Sequence, residues 1–161
     1  MSENNTRKIE ERIIQRLNGD MREQALKFVD YLNENHMQPQ QWFDENFWHI
    51  PYGEYYLFGI LLQENKWNLF FFSGDYSGEF EENFIKTIQE RVNICVSCHG
   101  DNIDICPKGR DMTIFGKEFN NACIQFTIHF ENPQDNDFAH IKQLIEYYKC
   151  VVSYSDSFHA R

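Results

Sequence analysis

The sequence predicts an α+β fold: an antiparallel sheet built from two β-β-α units, with helices packed on one face and two further helices before the sheet. Three observations support this class. Apolar residues recur at helical spacing at the start of the chain, short aromatic-rich runs bounded by turn residues follow, and helical spacing returns after each pair of runs. The chain has 161 residues, which is the length of one domain, so we expect a single domain over residues 1–161.

Residues 1–36 are predicted to form two amphipathic helices separated by Asn18-Gly19. Thr6 is the expected cap of the first helix, and Asp20 with Glu23 forms a start resembling a capping box for the second. The apolar faces consist of Ile9, Ile13, Ile14 and Leu17, and of Met21, Ala25, Phe28, Val29 and Leu32. We expect these faces to pack on the sheet or on a partner subunit.

An aromatic linker over residues 36–53 is predicted next, and an α+β core over residues 53–150. The core begins with a hairpin of residues 55–62 and 67–72. Ser77 is then expected to cap a helix that extends to Val92. Residues 113–115 and 122–130 are predicted to form a second hairpin, followed by a helix that begins near Asp135 and a frayed tail after Cys150.

Four of the five cysteines form a loop window over residues 95–123, with the spacing C-x2-C-x7-C-x16-C. Cys95 and Cys98 form a C-x-x-C turn that can direct two sulfurs at one ion, and Cys106 and Cys123 would complete a tetrahedron of thiolates. This spacing predicts a structural zinc site. His99 or His129 could replace one cysteine, because imidazole is also a good zinc ligand.

Three other interpretations of the cysteines remain open. Free cysteine behaves as a small buried hydrophobe, which suits the apolar surroundings of Cys123 and Cys150. Residues 95–99 also match the C-x-x-C-H pattern of c-type haem attachment, but the first 20 residues lack an apolar export signal, which disfavours haem. Redox catalysis would need Cys95 at a helix N-terminus, whereas the pair follows a predicted helix.

An aromatic cleft is a second candidate site. Aromatic residues make up 16% of the chain, and many lie in the linker and the first hairpin, close in sequence to carboxylates. Such a cleft would favour a bulky hydrophobic cation, although aromatic side chains also serve simply as core. The candidate ligand-binding residues are Trp42, Trp48, Glu54, Tyr55, Tyr56, Trp67, Asp75 and Tyr76, with Glu79 as a further carboxylate.

Charge and composition restrict the function classes. The formal net charge is −10, which repels phosphate backbones, so direct nucleic-acid binding is not expected. An acidic protein-interaction or inhibitor role is the alternative that this charge suggests. Lys108, Arg110 and Lys117 form a possible anion patch near the cysteines. The sequence has no membrane-length apolar run and none of the common hydrolase or phosphate-binding motifs, so we expect a cytoplasmic binding protein rather than a conventional enzyme.

Two resemblances follow from these motifs. The C-x-x-C turn, residues 106–110 (C-P-K-G-R), residues 113–120 (T-I-F-G-K-E-F-N), Cys123 and Asn132-Pro133 together resemble a small uncharacterised bacterial domain family, from which no activity can be transferred. The repeated β-β-α order is similar, in layout alone, to the GyrI-like effector-binding domains. That resemblance implies a bulky hydrophobic ligand in an aromatic cleft.

Overall fold

The computed structural model describes residues 8–42, 44–72, 75–94, 109–124 and 126–159, and it confirms the α+β class. Four helices lie within these ranges: α1 (Ile9–Arg16), α2 (Gly19–Glu34), α3 (Glu82–Glu90) and α4 (Asp135–His159). The strands in the same ranges are β1 (Gln40–Gln41), β2 (Phe47–Tyr52), β3 (Tyr55–Gln63), β4 (Lys66–Phe71), β5 (Arg110–Ile114), β6 (Lys117–Ala122) and β7 (Ile128–Glu131). The two predicted N-terminal helices therefore precede the strands, as expected.

Five strands form one sheet in the order β1-β2-β3-β4-β7, and β5 and β6 form a separate two-stranded sheet. Strand β2 pairs antiparallel with β1 and β3, and its register opposite β3 shifts between Ile50 and Pro51. A proline cannot donate to the ladder, which accounts for an irregularity at this position. The predicted first hairpin is observed as β3 and β4, joined by Glu64 and Asn65 with Asn65 at a positive φ of 51°.

The chain divides into two compact units, one comprising Met1–Leu69 with Glu131–Arg161 and the other comprising Phe70–Phe130. In the first unit, Phe28 of α2 stacks on Phe138 of α4 with ring centroids 5.5 Å apart. Trp67 exchanges two hydrogen bonds with Asn132: its N–H donates to the Asn132 side chain at 2.9 Å, and its C=O accepts from the Asn132 N–H at 2.8 Å. These contacts join both helices and the end of β4 into one core.

The second unit has its own core. Its buried residues include Phe84 and Ile88 of α3 and Ile114 of β5. The Gln89 side chain donates hydrogen bonds to the backbone carbonyls of Ile114 and Phe115, at 3.0 and 3.2 Å. Helix α3 is therefore tied to the turn that joins β5 and β6.

The structure corrects the prediction of a linker over residues 36–53. Two strands, β1 and β2, lie within this segment. Strand β2 was not recognisable in the sequence, because four consecutive residues, from Phe47 to Ile50, are buried and Pro51 follows directly. A strand buried on both faces does not show the alternation of apolar and polar residues that marks a half-buried strand.

The second hairpin also differs from its prediction. Strand β5 pairs with β6 rather than with residues 122–130, because Phe115 and Gly116 have positive φ values of 48° and 82° and form a tight turn directly after Ile114. Strand β6 consists mostly of polar residues, so the sequence did not predict it as a strand. The last residues of the predicted partner instead form β7 in the larger sheet.

Three predicted helix ends were wrong or cannot be assessed. Helix α3 begins after Glu81, without a side-chain cap, so Ser77 is not its cap. Helix α4 continues to His159, beyond the expected fraying at Cys150, because residues 135–159 contain neither glycine nor proline to end it. Thr6, the predicted cap of the first helix, lies outside the described residues.

Candidate functional site

The predicted metal ligands lie mostly where the structure gives no description. Cys95, Cys98, His99 and Cys106 are outside the described residues. Cys123 is buried against Phe126, and its N–H donates to the Asn93 carbonyl at 2.8 Å. Among the described residues, no group of three or more His, Cys, Asp or Glu side chains is arranged to hold a metal ion. The zinc site therefore stays a prediction from the spacing.

His49 and three rings around it form an aromatic cluster on the β1-β2-β3 part of the sheet, which we call the His49 cluster. The imidazole of His49 lies 4.0 Å from the Trp42 ring, 4.5 Å from the Tyr56 ring and 5.3 Å from the Phe47 ring, measured between centroids. Trp42 and Tyr56 are 50% and 52% exposed, whereas His49 is buried. Burial lowers the pKa of His49 below its ordinary value, because it disfavours the charged imidazolium.

Strand register explains how the His49 cluster forms. Phe47 and His49 are two residues apart on β2, so their side chains share one face of the sheet. His49 pairs with Gly59 on β3, and the Phe47 ring lies so close to Gly59 that a Cβ there would be 2.6 Å from Phe47 Cζ. Gly59 therefore leaves the space that the Phe47 ring fills.

Trp48 lies between Phe47 and His49 in the chain, so its side chain points to the opposite face of β2. On that side it lines a cavity of about 800 Å³, which we call the Trp48 cavity. Three segments supply its other described lining residues: the start of α1, the end of α2 and the chain that leads into β1. These residues are Lys8, Ile9, Glu10, Asn33, Gln38, Pro39, Gln40 and Gln41.

The polar groups of the Trp48 cavity are only partly used within the protein. The Asn33 side chain donates to the Glu10 carboxylate at 3.3 Å. Trp48 is 2% exposed, and its indole N–H is buried and has no hydrogen-bond acceptor among the described residues. A buried donor without an acceptor costs about 1–3 kcal/mol.

A hydrogen-bonded turn sets the position of β2. The guanidinium of Arg12 on α1 donates to the Asn46 side chain from Nε at 3.0 Å and from Nη2 at 2.8 Å, and it also pairs with Glu45. The Trp42 N–H donates to the Phe47 carbonyl at 3.0 Å and closes the turn. Arg12 is 8% exposed, so a buried side chain holds this turn.

The other predicted cleft residues are distributed over both units. In the first unit, Trp67 is buried, whereas Glu54 is exposed in the turn before β3 and Tyr55 is half-buried at the start of that strand. In the second unit, the Asp75 carboxylate accepts the Thr113 N–H at 3.1 Å, and the Tyr76 hydroxyl donates to the Phe72 carbonyl at 2.9 Å. Asp75 and Tyr76 therefore make structural hydrogen bonds, and Glu79 is exposed.

The predicted anion patch is described only in part. Lys108 lies outside the described residues. Arg110 pairs with Ala122 and Lys117 pairs with Ile114, so the two basic residues lie at opposite ends of the β5-β6 hairpin. The Lys117 ammonium instead lies over the Phe119 ring, 5.1 Å from its centroid.

Sequence reasoning found Trp42, Trp48 and Tyr56 but missed two features of this region. His49 was not considered, although its position directly after Phe47 and Trp48 was a usable signal. The polar lining of the Trp48 cavity, which includes Gln38, was also missed. A glutamine in a sequence does not by itself indicate a binding site. Only the fold shows that these side chains surround a cavity.

In the comparisons with known proteins, no family model matches the chain, and no curated protein and no solved structure shows significant similarity to it. The fold itself adds one observation. Within the described ranges, none of the helices has both the length and the apolar character needed to cross a membrane.

Proposed function

We propose that the protein is a small-molecule-binding domain and that the Trp48 cavity is its binding site. The position of Trp48, a buried aromatic side chain that lines this cavity together with polar side chains of α1, α2 and the segment before β1, carries this proposal. The cavity volume of about 800 Å³ lies within the range of roughly 300–1,000 Å³ that is typical of small-molecule sites. The aromatic binding role expected from the sequence is thereby assigned to Trp48.

Trp67 provides a comparison within the same unit. Its indole N–H is also buried and without an acceptor among the described residues, but Trp67 does not line the Trp48 cavity. Its unpaired N–H reduces the stability of the fold and lies within a packed core, where Trp67 contacts Phe28 and Phe138. Of these two tryptophans, only Trp48 lines the cavity.

The cysteine window is a separate proposal, in which zinc would have a structural role. It is supported by the C-x2-C-x7-C-x16-C spacing alone. A cytoplasmic location is part of the same proposal, because cysteines in a reducing compartment stay as thiols that can bind zinc. This proposal is not needed for ligand binding at the Trp48 cavity.

The binding proposal is tested by screening the full chain against a fragment library with ligand-observed NMR. Gln41→Phe places a ring at the exposed edge strand that lines the cavity, where a β-compatible aromatic residue can be accommodated. Gln143→Phe makes the same change at an exposed position on α4. We expect fragments that bind the unmodified protein and the Gln143→Phe protein but not the Gln41→Phe protein. An absence of binders, or binders that ignore Gln41→Phe when circular dichroism shows an intact fold, would refute the site.

A further inference from the structure

We infer that protonation of His49 opens the β1 wall of the Trp48 cavity, so that the cavity holds its ligand at neutral pH and releases it in acid. This inference rests on the proposed binding function and adds its regulation. Two features of the described residues carry it. Strand β1 contributes to both the Trp48 cavity and the His49 cluster, and the ring that covers His49 at β1 is itself half-exposed.

Strand β1 connects the Trp48 cavity with the His49 cluster. Gln41 pairs with Trp48 in the β1-β2 register, and both residues line the cavity. Gln40, which also lines the cavity, pairs with His49. The next residue after Gln41 is Trp42, which lies on the opposite face, with its ring centroid 4.0 Å from that of His49. A movement of Trp42 away from His49 therefore displaces the cavity wall at Gln41 as well.

Trp42 is the least firmly held of the rings around His49. Phe47 is buried, and Tyr56 belongs to β3, a strand of nine residues with a neighbour on each side. Trp42 is half-exposed and directly follows a strand of only two residues at the edge of the sheet. Displacing Trp42 is therefore the smallest movement that brings water to the buried imidazole.

Protonation drives this movement because a buried charge is costly. The groups that face His49 from the three strands are the side chains of Trp42, Phe47 and Tyr56 and the backbone of Gly59. Of these, the phenol of Tyr56 is titratable, and a phenol is uncharged in neutral and acidic solution. None of these four groups supplies a negative charge to an imidazolium, whereas water reaches the ring once Trp42 has moved.

The direction of the pH effect follows from this difference in hydration. In the closed form, burial lowers the pKa of His49. In the open form, the hydrated imidazole titrates near the ordinary value of about 6.5. The open form therefore binds the proton more readily, and its population rises as the pH falls below about 6.5.

Hydrogen exchange on the full chain tests the opening without a ligand. The Trp42 N–H donates to the Phe47 carbonyl at 3.0 Å and becomes accessible when β1 opens. We expect its protection factor, corrected for the intrinsic exchange rate, to fall by about fivefold or more from pH 7.5 to pH 5.5, the lower end of usual couplings between sites. The Asn132 N–H, which donates to the Trp67 carbonyl at 2.8 Å in the same unit, is the matched control. It should be better protected than Trp42 at both pH values, since it opens only with the core.

Fragments from the screen that stay uncharged between pH 5.5 and pH 7.5 test the consequence for binding. Their affinity for the unmodified protein should weaken by about fivefold or more at pH 5.5, and linkage requires that they lower the titration midpoint of His49 by the same factor. His49→Phe keeps a ring at this position and should abolish the pH dependence of both affinity and Trp42 exchange. His36→Asn should retain it, because His36 is exposed and asparagine tolerates its positive φ of 58°.

The outcomes separate the inference from the proposed function. Trp42 protection that does not change with pH, or that equals the protection of Asn132, would overturn the inference, because β1 would then open only with the whole fold. Affinity that tightens in acid, or that keeps its pH dependence in His49→Phe, would also overturn it and indicate a group of the lining such as Glu10. An absence of fragment binders at pH 7.5 would refute the binding site instead, and the exchange measurements would still decide whether His49 opens β1.

Discussion

Trp48 and His49 are neighbours in β2, yet their side chains lie in different environments on opposite faces of the strand. Trp48 lines the cavity next to α1 and α2, whereas His49 contacts the tilted rings of Trp42 and Tyr56. A shift of one residue in the register of β2 would exchange the two side chains. Binding at the Trp48 cavity therefore depends on the features that fix this register.

Gly59 is one such feature. Its φ lies outside the left-handed region, so alanine is compatible with the backbone, but a Cβ would meet Phe47 Cζ at 2.6 Å. We expect Gly59→Ala to lower the free energy of unfolding by about 1–3 kcal/mol through overpacking. Urea denaturation measures this change. Phe47→Leu should make Gly59→Ala less costly in the double variant, and additive effects of the two substitutions would contradict the steric explanation.

Arg12 is the second feature, because it holds the turn that precedes β2. Arg12→Met removes the hydrogen bonds to Asn46 and the ion pair with Glu45, and we expect a loss of about 1–3 kcal/mol in thermal or urea unfolding. Arg16→Met is the matched control on the same helix. Arg16 pairs with the exposed Glu64 at 3.3 Å, so its removal should cost less than about 1 kcal/mol. Equal costs would show that Arg12 is not a special anchor.

His49 should make stability depend on pH. Its folded-state pKa is below the ordinary value of about 6.5, so the folded protein takes up the proton less readily than the unfolded chain. The contribution of neutral His49 to the free energy of unfolding is complete above pH 6.5. It is lost as the pH falls from 6.5 to the folded-state pKa. The unfolding free energy of the wild type should therefore decrease more than that of His49→Phe between pH 7.5 and pH 5. Parallel pH profiles would contradict this prediction.

The sequence predicted the parts of the fold that depend on local periodicity. Helices α1 and α2 and the β3-β4 hairpin follow from apolar spacing and turn residues and are observed, although Ile14 of the predicted α1 face is exposed. Strand β2 was missed because burial of Phe47, Trp48, His49 and Ile50 removes the alternation. Strand β6 was missed because its pairing depends on the turn at Phe115 and Gly116 rather than on its own polar residues.

The candidate site was predictable only in part, for a related reason. Of the aromatic residues in the predicted linker, Phe47 and Trp48 are buried, whereas Trp42 and Tyr52 are exposed. The cavity, however, is formed by residues of α1, α2 and the segment before β1, which are distant in sequence. Polar residues such as Gln38 and Asn33 become informative only when the fold brings them beside Trp48.

The cysteine window remains testable on the purified native protein. If Cys95, Cys98, Cys106 and Cys123 hold zinc, elemental analysis should find about one zinc per chain, with Zn–S distances near ~2.3 Å by X-ray absorption. Cys123→Ser should lose the metal, whereas Cys150→Ser, at an exposed position on α4, should retain it. Chelation should lower the unfolding temperature. Protein free of metal after purification in zinc-supplemented medium would reject the site.

The most direct test of ligand binding is the indole region of a ¹H–¹⁵N correlation spectrum. The three tryptophans give three indole N–H signals, which Trp42→Phe, Trp48→Phe and Trp67→Phe assign one by one. On titration with fragment binders, we predict that the Trp48 signal shifts, because Trp48 lines the cavity, while the Trp67 signal stays in place. A Trp48 signal that no ligand moves, or that moves only together with those of Trp42 and Trp67, would contradict the assignment of the Trp48 cavity as the binding site.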